Sequence, residues 1–389
     1  MRHGLWYVRG VPLDRLGTPA PFSMKIRAAV FYEVGKPFQI ETLELTEPRA
    51  GEVLVKIAAA GVCHSDWHLM TGATRHPTPV VPGHEGAGVV ETVGAGVSRV
   101  RPGDHVALNW APSCGECFYC LRGRPSLCQT FVGPIWAGTM LDGTTRLTLD
   151  GRPVYHFSAL ACFAEYVVVP DVCCVPLSKQ VPLSVAALIG CAVTTGVGAV
   201  LNTAKVEPGA SVAVFGAGGV GLSIIMAARL AGAGRIIAVD TQEAKGDLAL
   251  ACGATDVIIN RPDSNEAIRS LTGGRGADYV FEAIGIPAVQ EQALDATRPG
   301  GTAVLVGISS MGSGTNLPGA VITRQEKTVT GSYYGTANTA RDFPKYADLY
   351  LQGRLDLDRL ISREYSLDKI NEAYADMLGG ENARGLIVF

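Results

Sequence analysis

The feature that most constrains the fold is a glycine loop held between two strand-like runs. Ser211–Phe215 is a continuous apolar run of strand length, and Gly216-Ala217-Gly218-Gly219-Val220-Gly221 follows it without a break. Residues 222–230 have helical composition. A second apolar run, 235–239, ends at Asp240. A G-x-G-x-x-G loop between strand and helix, with an acid about 20 residues on, is the fingerprint of a dinucleotide site. Gly216 makes the tight turn. Gly218 lets the backbone approach a pyrophosphate, and Gly221 lets the helix lie close to the strand. With Gly219 and Val220 these residues form the predicted cofactor cradle, where the helix N-terminus offers free N–H groups to an anion. Asp240 can accept from a ribose 2′-OH and would repel a 2′-phosphate, so it selects NAD over NADP. Lys245 is expected to reach the same ribose.

Beyond this unit, strand and helix alternate. Runs 256–259, 277–282, 301–307 and 327–331 read as strands, and 264–271 and 287–297 as helices. That alternation predicts a doubly wound parallel sheet. A chain of 389 residues has room for a second domain. Residues 25–106 supply one: short β-branched runs such as 53–57 and 86–94, separated by glycine and proline turns, predict a compact β-rich domain. Two helical segments, 343–351 and 367–378, are expected to pack back on it.

The ten cysteines carry the next constraint. Cys114, Cys117 and Cys120 are spaced in threes, and Cys128 follows closely. Four clustered thiols suit tetrahedral Zn²⁺. With every position filled by sulfur, this zinc holds a lobe at about 112–130 and does no chemistry. A catalytic zinc needs three protein ligands and one open position. Cys63 is a candidate, within Gly61-Val62-Cys63-His64-Ser65-Asp66-Trp67-His68. His84, in Pro82-Gly83-His84-Glu85-Gly86, and Cys191, in Gly190-Cys191-Ala192, supply the rest of a set that suits a borderline-soft ion.

The formal net charge is −3, and no block of like charge points to nucleic acid. No apolar run of membrane-spanning length is read from the sequence. Residues 1–23 carry Arg2, Arg9, Asp14 and Arg15 and lack a signal-peptide core. They read as an N-terminal extension, since strand-like sequence starts at Met24. The expected location is the cytoplasm, with no membrane or nucleic-acid partner.

Over residues 24–389 the chain resembles the zinc-dependent medium-chain alcohol dehydrogenases. The motifs that carry the resemblance are Gly61 to Asp66, Gly83-His84-Glu85, the four-cysteine lobe, Gly190-Cys191 and the glycine loop. It implies a GroES-like catalytic domain (24–193 and 334–389) and a Rossmann coenzyme domain (194–333), with two zinc ions and NAD per subunit. It implies Cys63, His84 and Cys191 as ligands of the catalytic zinc, Glu85 approaching the metal from behind, and Asp66 orienting His84. Zinc then lowers the pKa of the alcohol, a hydride passes to the nicotinamide, and the proton leaves through Ser65, the cofactor ribose and His68. His64, Thr195, Val220 and Arg384 match cofactor-contacting positions, with Arg384 and His64 near the pyrophosphate. If His64 serves there, NAD affinity should weaken as pH rises past roughly 6.5.

Trp110 matches an aromatic wall of the alcohol pocket, and with Phe157 it implies an apolar cleft for a primary, aromatic or benzylic alcohol. The long segment 131–157 resembles the animal-type and glutathione-dependent formaldehyde-oxidising classes, which are mostly dimers. A homodimer is therefore expected, with a homotetramer as the alternative. Val132 stands where the glutathione-dependent class has an arginine, which disfavours a glutathione adduct. Two alternatives keep the fold: a nicotinoprotein or formaldehyde dismutase with permanently bound NAD, and a formaldehyde dehydrogenase using another thiol adduct. A non-enzymatic zinc module is disfavoured by the complete Cys63, His84, Cys191, Ser65 and His68 set.

Overall fold

The computed structural model describes residues 23–380 and 383–389. The extension read at 1–23 lies outside them, except that Ser23 opens the first strand, Ser23–Val30. Three sheets organise the rest. The dinucleotide half is a six-stranded sheet of Ser211–Phe215, Arg235–Asp240, Asp256–Ile259, Ala277–Glu282, Thr297–Leu305 and Thr328–Gly331. Counted along the chain, the strands stand in the order 3-2-1-4-5-6, all parallel. Val212, Ala213, Val214 and Phe215 are all fully buried. A central parallel strand is covered on both faces, so its sequence is apolar without alternation. The order reverses between Ser211–Phe215 and Ala277–Glu282, and the crevice at their carboxyl ends is where such sheets bind ligands.

The other half is β-rich. Glu52–Gly61 pairs antiparallel with Gly86–Val93 and with Tyr166–Pro170. The last strand, Arg384–Val388, returns across the molecule and pairs with Glu52–Gly61, setting Leu386 opposite Gly61. That pairing brings Arg384 beside Val62 and Cys63. A hairpin joins Leu147–Leu149 to Arg152–His156. Its turn residues, Asp150 (φ 50°) and Gly151 (φ 74°), have the positive φ of a type I′ turn. The segment before it contains the helix Gln129–Ala137.

One sequence reading is corrected. Leu183–Ala204 is a continuous apolar helix of 22 residues, long enough to cross a membrane by length and composition. It is mostly buried between the two halves, as a helix that is apolar all round should be. The run is hard to see because Gly190, Gly196 and Gly198 read as breakers. They are instead close-packing points: a Cβ on Gly196 would lie 2.6 Å from the Val220 carbonyl oxygen, and one on Gly198 2.4 Å from that of Gly335. Cys191 therefore sits inside this helix. Its turn, Ile189–Val193, is a π-helical segment, and the Thr194 hydroxyl donates to the Ile189 carbonyl at 2.6 Å. Widened turns of this kind often mark functional sites.

Candidate active site

Cys63 precedes the short helix His64–Met70, His84 lies on the loop after Val80–Val81, and Cys191 rides on the buried helix. These three distant segments converge: one ligand atom from each lies within 4.8 Å of the others, and all three residues are buried. His84 Nε2 is 3.3 Å from the Cys191 sulfur. His84 Nδ1 faces Asp66, 3.2 Å from Oδ1 and 3.1 Å from Oδ2. Asp66 is fully buried and also accepts from the Gly83 N–H at 2.9 Å. A carboxylate on Nδ1 fixes the tautomer and leaves Nε2 free for a metal. Two sulfurs and an imidazole, with no fourth donor grouped with them among the described residues, fit a zinc with an open position.

The charges around this trio are consistent with that use. Cys63 is held well below the usual thiol range by the hydrogen bond from Cys191, with the Arg384 and His84 cations adding to it against the opposing effect of burial. Cys191 is pushed up in turn by its hydrogen bond to Cys63 and by burial. Burial opposes protonation of His84, yet Asp66 and then Cys63 carry it above its ordinary value. Burial also pushes Glu85 up to about 7, against the pull of Arg384. Its Oε1 accepts from the Ala192 N–H at 3.0 Å, whereas Oε2 has no hydrogen-bond partner and faces Arg384 Nε at 3.7 Å. Glu85 thus stands behind the trio with an uncommitted oxygen.

The second cluster is the lobe. The sulfurs of Cys114, Cys117, Cys120 and Cys128 also lie within 4.8 Å of one another. Backbone N–H groups of Cys114 and Cys117 point at the sulfurs of Cys128 and Cys114, each at 3.3 Å. Such donors favour thiolate, and Cys114 is lowered to about 6, chiefly by the Thr130 hydroxyl. Desolvation instead drives Cys120 up to about 12. One thiol among four crowded sulfurs keeps its proton until a cation takes its place.

A cleft of about 310 Å³ joins Cys63 and Cys191 to the glycine loop. Cys63, His64, Ser65, His68, Trp110, Cys191, Thr195, Gly216, Gly218, Gly219, Val220, Asp240, Lys245 and Arg384 all border it. Most of the residues singled out from sequence therefore meet in one place. Gly216 has φ +97°. A Cβ on Gly221 would lie 1.7 Å from the Gly216 carbonyl oxygen, whereas one on Gly218 meets nothing within 4 Å. Gly218 leaves room in the cradle for a group that is not protein. Asp240 Oδ2 accepts from the Ala217 N–H at 2.7 Å and Oδ1 from the Gln242 N–H at 3.0 Å. The acid braces the loop while keeping lone pairs for a ribose. Lys245 Nζ is 3.8 Å from Oδ2. Ser65 Oγ is 3.8 Å from the Cys63 sulfur.

Arg384 is the bridge between the two parts. Its guanidinium donates to the Val62 carbonyl at 3.3 Å and lies 3.8 Å from the Cys63 sulfur. A Cβ on Gly219 would come within 2.6 Å of its Nε, so the cation abuts the N-terminus of the loop helix. His64, at the cleft, is lowered from its ordinary value by desolvation and then by the nearby Arg384 and Lys245 cations, against the opposing pull of Cys63. Any change in its charge without cofactor therefore falls below pH 6.5, and the inflection expected from sequence moves down with it.

Phe157 is buried edge-on against His84 (5.8 Å) and His76 (5.4 Å) and, like His84, does not itself border the cleft. It backs the metal trio. The aromatic wall comes instead from Trp110 with Tyr333 and Tyr334, at centroid distances of 5.4 and 4.5 Å. Tyr334 also donates to the Gly190 carbonyl at 2.5 Å, bracing the turn that carries Cys191. Sequence reasoning missed both tyrosines. The available signal was their place after the carboxyl end of Thr328–Gly331, where loops of a parallel sheet reach its ligand crevice.

Two family profiles match the chain: an alcohol dehydrogenase GroES-like domain over residues 49–179 and a zinc-binding dehydrogenase over 219–352. The chain belongs to the zinc-dependent medium-chain alcohol dehydrogenase family, and it is an oxidoreductase that uses zinc and a nicotinamide dinucleotide. It is 40% identical to the NDMA-dependent alcohol dehydrogenase of Amycolatopsis methanolica, over 94% of this chain and 99% of that one. It is 41% identical to an S-(hydroxymethyl)glutathione dehydrogenase of Escherichia coli, over 94% and 100%. Among solved structures it is similar to the benzyl alcohol dehydrogenase of Acinetobacter calcoaceticus, with a TM-score of 0.89, 34% identity and coverage of 94% and 99%.

Proposed function

We propose that the chain oxidises a primary alcohol, aromatic ones included, to the aldehyde with NAD, in a reversible hydride transfer. The observation that carries this reading is one cleft whose walls hold Cys63, Cys191 and the glycine loop together, with His84 Nε2 3.3 Å from the Cys191 sulfur. When bound there, zinc supplies Lewis-acid polarisation of the alcohol oxygen and the nicotinamide supplies the hydride acceptor. The protein's part is positioning and proton handling. Asp66 aims His84, and Glu85 waits behind the trio with its free oxygen. Ser65, beside Cys63, takes the alcohol proton. His68, in the last turn of the same helix, passes it to solvent. His64 and Arg384 receive the pyrophosphate, Thr195 and Val220 hold the nicotinamide end, and Asp240 with Lys245 holds the ribose. Trp110 forms the aromatic wall.

The likeness to the NDMA-dependent relative favours a second reading, in which NAD stays bound and is recycled by a second substrate. Benzyl alcohol and added NAD separate the two: free NADH accumulating in solution supports the first, and nicotinamide absorbance that stays with the protein through gel filtration supports the second. In either reading the chain works as a homodimer in the cytoplasm. Exposed apolar side chains at Ile308, Met311, Leu317 and Val321 support association, and ten free cysteines suit a reducing compartment.

A further inference from the structure

Ala277–Glu282 ends at the crevice where the strand order reverses, and its last residue is a fully buried carboxylate. A buried carboxylate is costly at the end of a central strand unless its oxygens are hydrogen-bonded. Here the partners are loops. Glu282 Oε1 accepts from the Ile284 N–H at 2.7 Å and from the Gly285 N–H at 2.6 Å. Its main-chain carbonyl accepts from the Val306 and Gly307 N–H groups, each at 2.9 Å. Oε2 accepts from the Gln290 amide at 3.4 Å, and the same amide donates to Ser309 Oγ at 3.0 Å. Gln290 Oε1 in turn accepts from the Thr315 hydroxyl. One residue thus ties down the loop after its own strand and the loop after Thr297–Leu305. The two loops meet backbone to backbone. A Cβ on Gly307 would lie 2.1 Å from the Gly285 nitrogen, and one on Gly285 2.4 Å from the Ile308 carbonyl oxygen. Ala283, Ile284, Val306, Gly307 and Ile308 all border the cleft, whereas Glu282 does not.

A dinucleotide lies across such a sheet with one mononucleotide on each half. Asp240 and Lys245 follow the strands on one side of the switch point, where the acid takes the adenosine ribose. The loops tied by Glu282 follow the strands on the other side and therefore face the nicotinamide half. We infer that Glu282 is a positioning residue for that half: it touches no cofactor atom and sets the backbone of both loops against the nicotinamide mononucleotide. The inference rests on the dinucleotide site and not on which alcohol is oxidised.

The test compares Kd for NADH, by its fluorescence, with Kd for AMP, by calorimetry, on zinc-loaded protein stripped of nucleotide. AMP reports the adenosine half alone. Glu282→Ala strands two backbone N–H groups and loosens both loops, so Kd for NADH should rise roughly tenfold or more while that for AMP moves by less than about threefold. A general loss of stability would weaken both nucleotides alike and could not produce this split. Glu282→Gln keeps an oxygen for both N–H groups and should recover most of the NADH affinity. Equal weakening of NADH and AMP, undiminished NADH affinity in the alanine variant, or a glutamine variant as weak as the alanine one overturns the inference. If Glu282→Ala does not fold, Gln290→Ala decides. It cuts the tie to Ser309 and Thr315 and should raise Kd for NADH about threefold with AMP unchanged. Both constants moving together, or neither moving, overturns the inference. Absence of NADH binding to the unsubstituted protein overturns it as well. A protein that binds NADH as described yet oxidises no alcohol sinks only the alcohol-oxidising reading.

Discussion

Asp66→Asn isolates what the buried carboxylate does for His84. Asp66 accepts from two donors, Gly83 N–H and His84 Nδ1–H, with no solvent to replace it. Both donors point at Oδ1, so asparagine can still accept from both through its one oxygen, but it removes the negative charge beside the imidazole and sets an amide NH2 in the place of Oδ2, 3.1 Å from Nδ1. Loss of the carboxylate partner on a metal-bound imidazole typically lowers metal affinity by about 10–100-fold. The lobe cysteines come from a separate segment and supply an internal reference. Chelator competition with zinc release followed optically should show one zinc per chain leaving roughly 10–100-fold more readily and the other unchanged. Asp66→Ala, which strands both donors, should cost about 2–6 kcal/mol in stability, at about 1–3 kcal/mol for each buried donor left unpaired. Equal retention of both zincs in D66N, or equal loss of both, would refute the reasoning.

Acid should unfold the chain through His156, which burial and then the Arg146 cation depress to about 3. Its folded pKa lies below the unfolded value, so stability is complete above roughly pH 6.5 and falls toward pH 3, by up to about 5 kcal/mol. Urea denaturation at pH 7.5 and 5 should show the loss, and His156→Gln should flatten it. Glu52→Ala leaves the buried guanidinium of Arg146 without its main partner, which it now holds through Nε to Oε2 at 2.8 Å. A loss of about 3–5 kcal/mol is expected in the same assay, and a loss under 1 kcal/mol would contradict the pairing. Gly218→Ala should leave the melting temperature alone and raise KM for NAD, whereas Gly221→Ala should destabilise the protein outright. Equal behaviour of the two variants would undo the roles given to the loop.

Much of the site is legible in the sequence because its chemistry is local. The cysteine spacing of the lobe, the glycine loop in its strand–helix setting and Asp240 each announce themselves within a few residues. The convergence of Cys63, His84 and Cys191 is not local, and it was the resemblance that joined them. What stays hidden depends on tertiary packing. The π turn holding Cys191 arises because Thr194 and Tyr334 claim the Ile189 and Gly190 carbonyls, and neither bond has a sequence signature. The 22-residue helix is masked by glycines that serve helix crossings. Phe157 reads as a pocket aromatic only in company with Trp110, and its packing against His84 has no sequence signature. Arg384 reads as a pyrophosphate partner, but only the antiparallel pairing of the last strand brings it against Cys63 and Glu85 as well.

The central claim is that the trio and the glycine loop work as one hydride-transfer centre. Steady-state assay of the zinc-loaded protein with benzyl alcohol and added NAD tests it most directly, by the near-ultraviolet absorbance of NADH. Continuous formation of free NADH, abolished in Cys191→Ala and far slower with NADP, is the predicted result. No reduction of the dinucleotide, either free or protein-bound, by any alcohol would contradict the account.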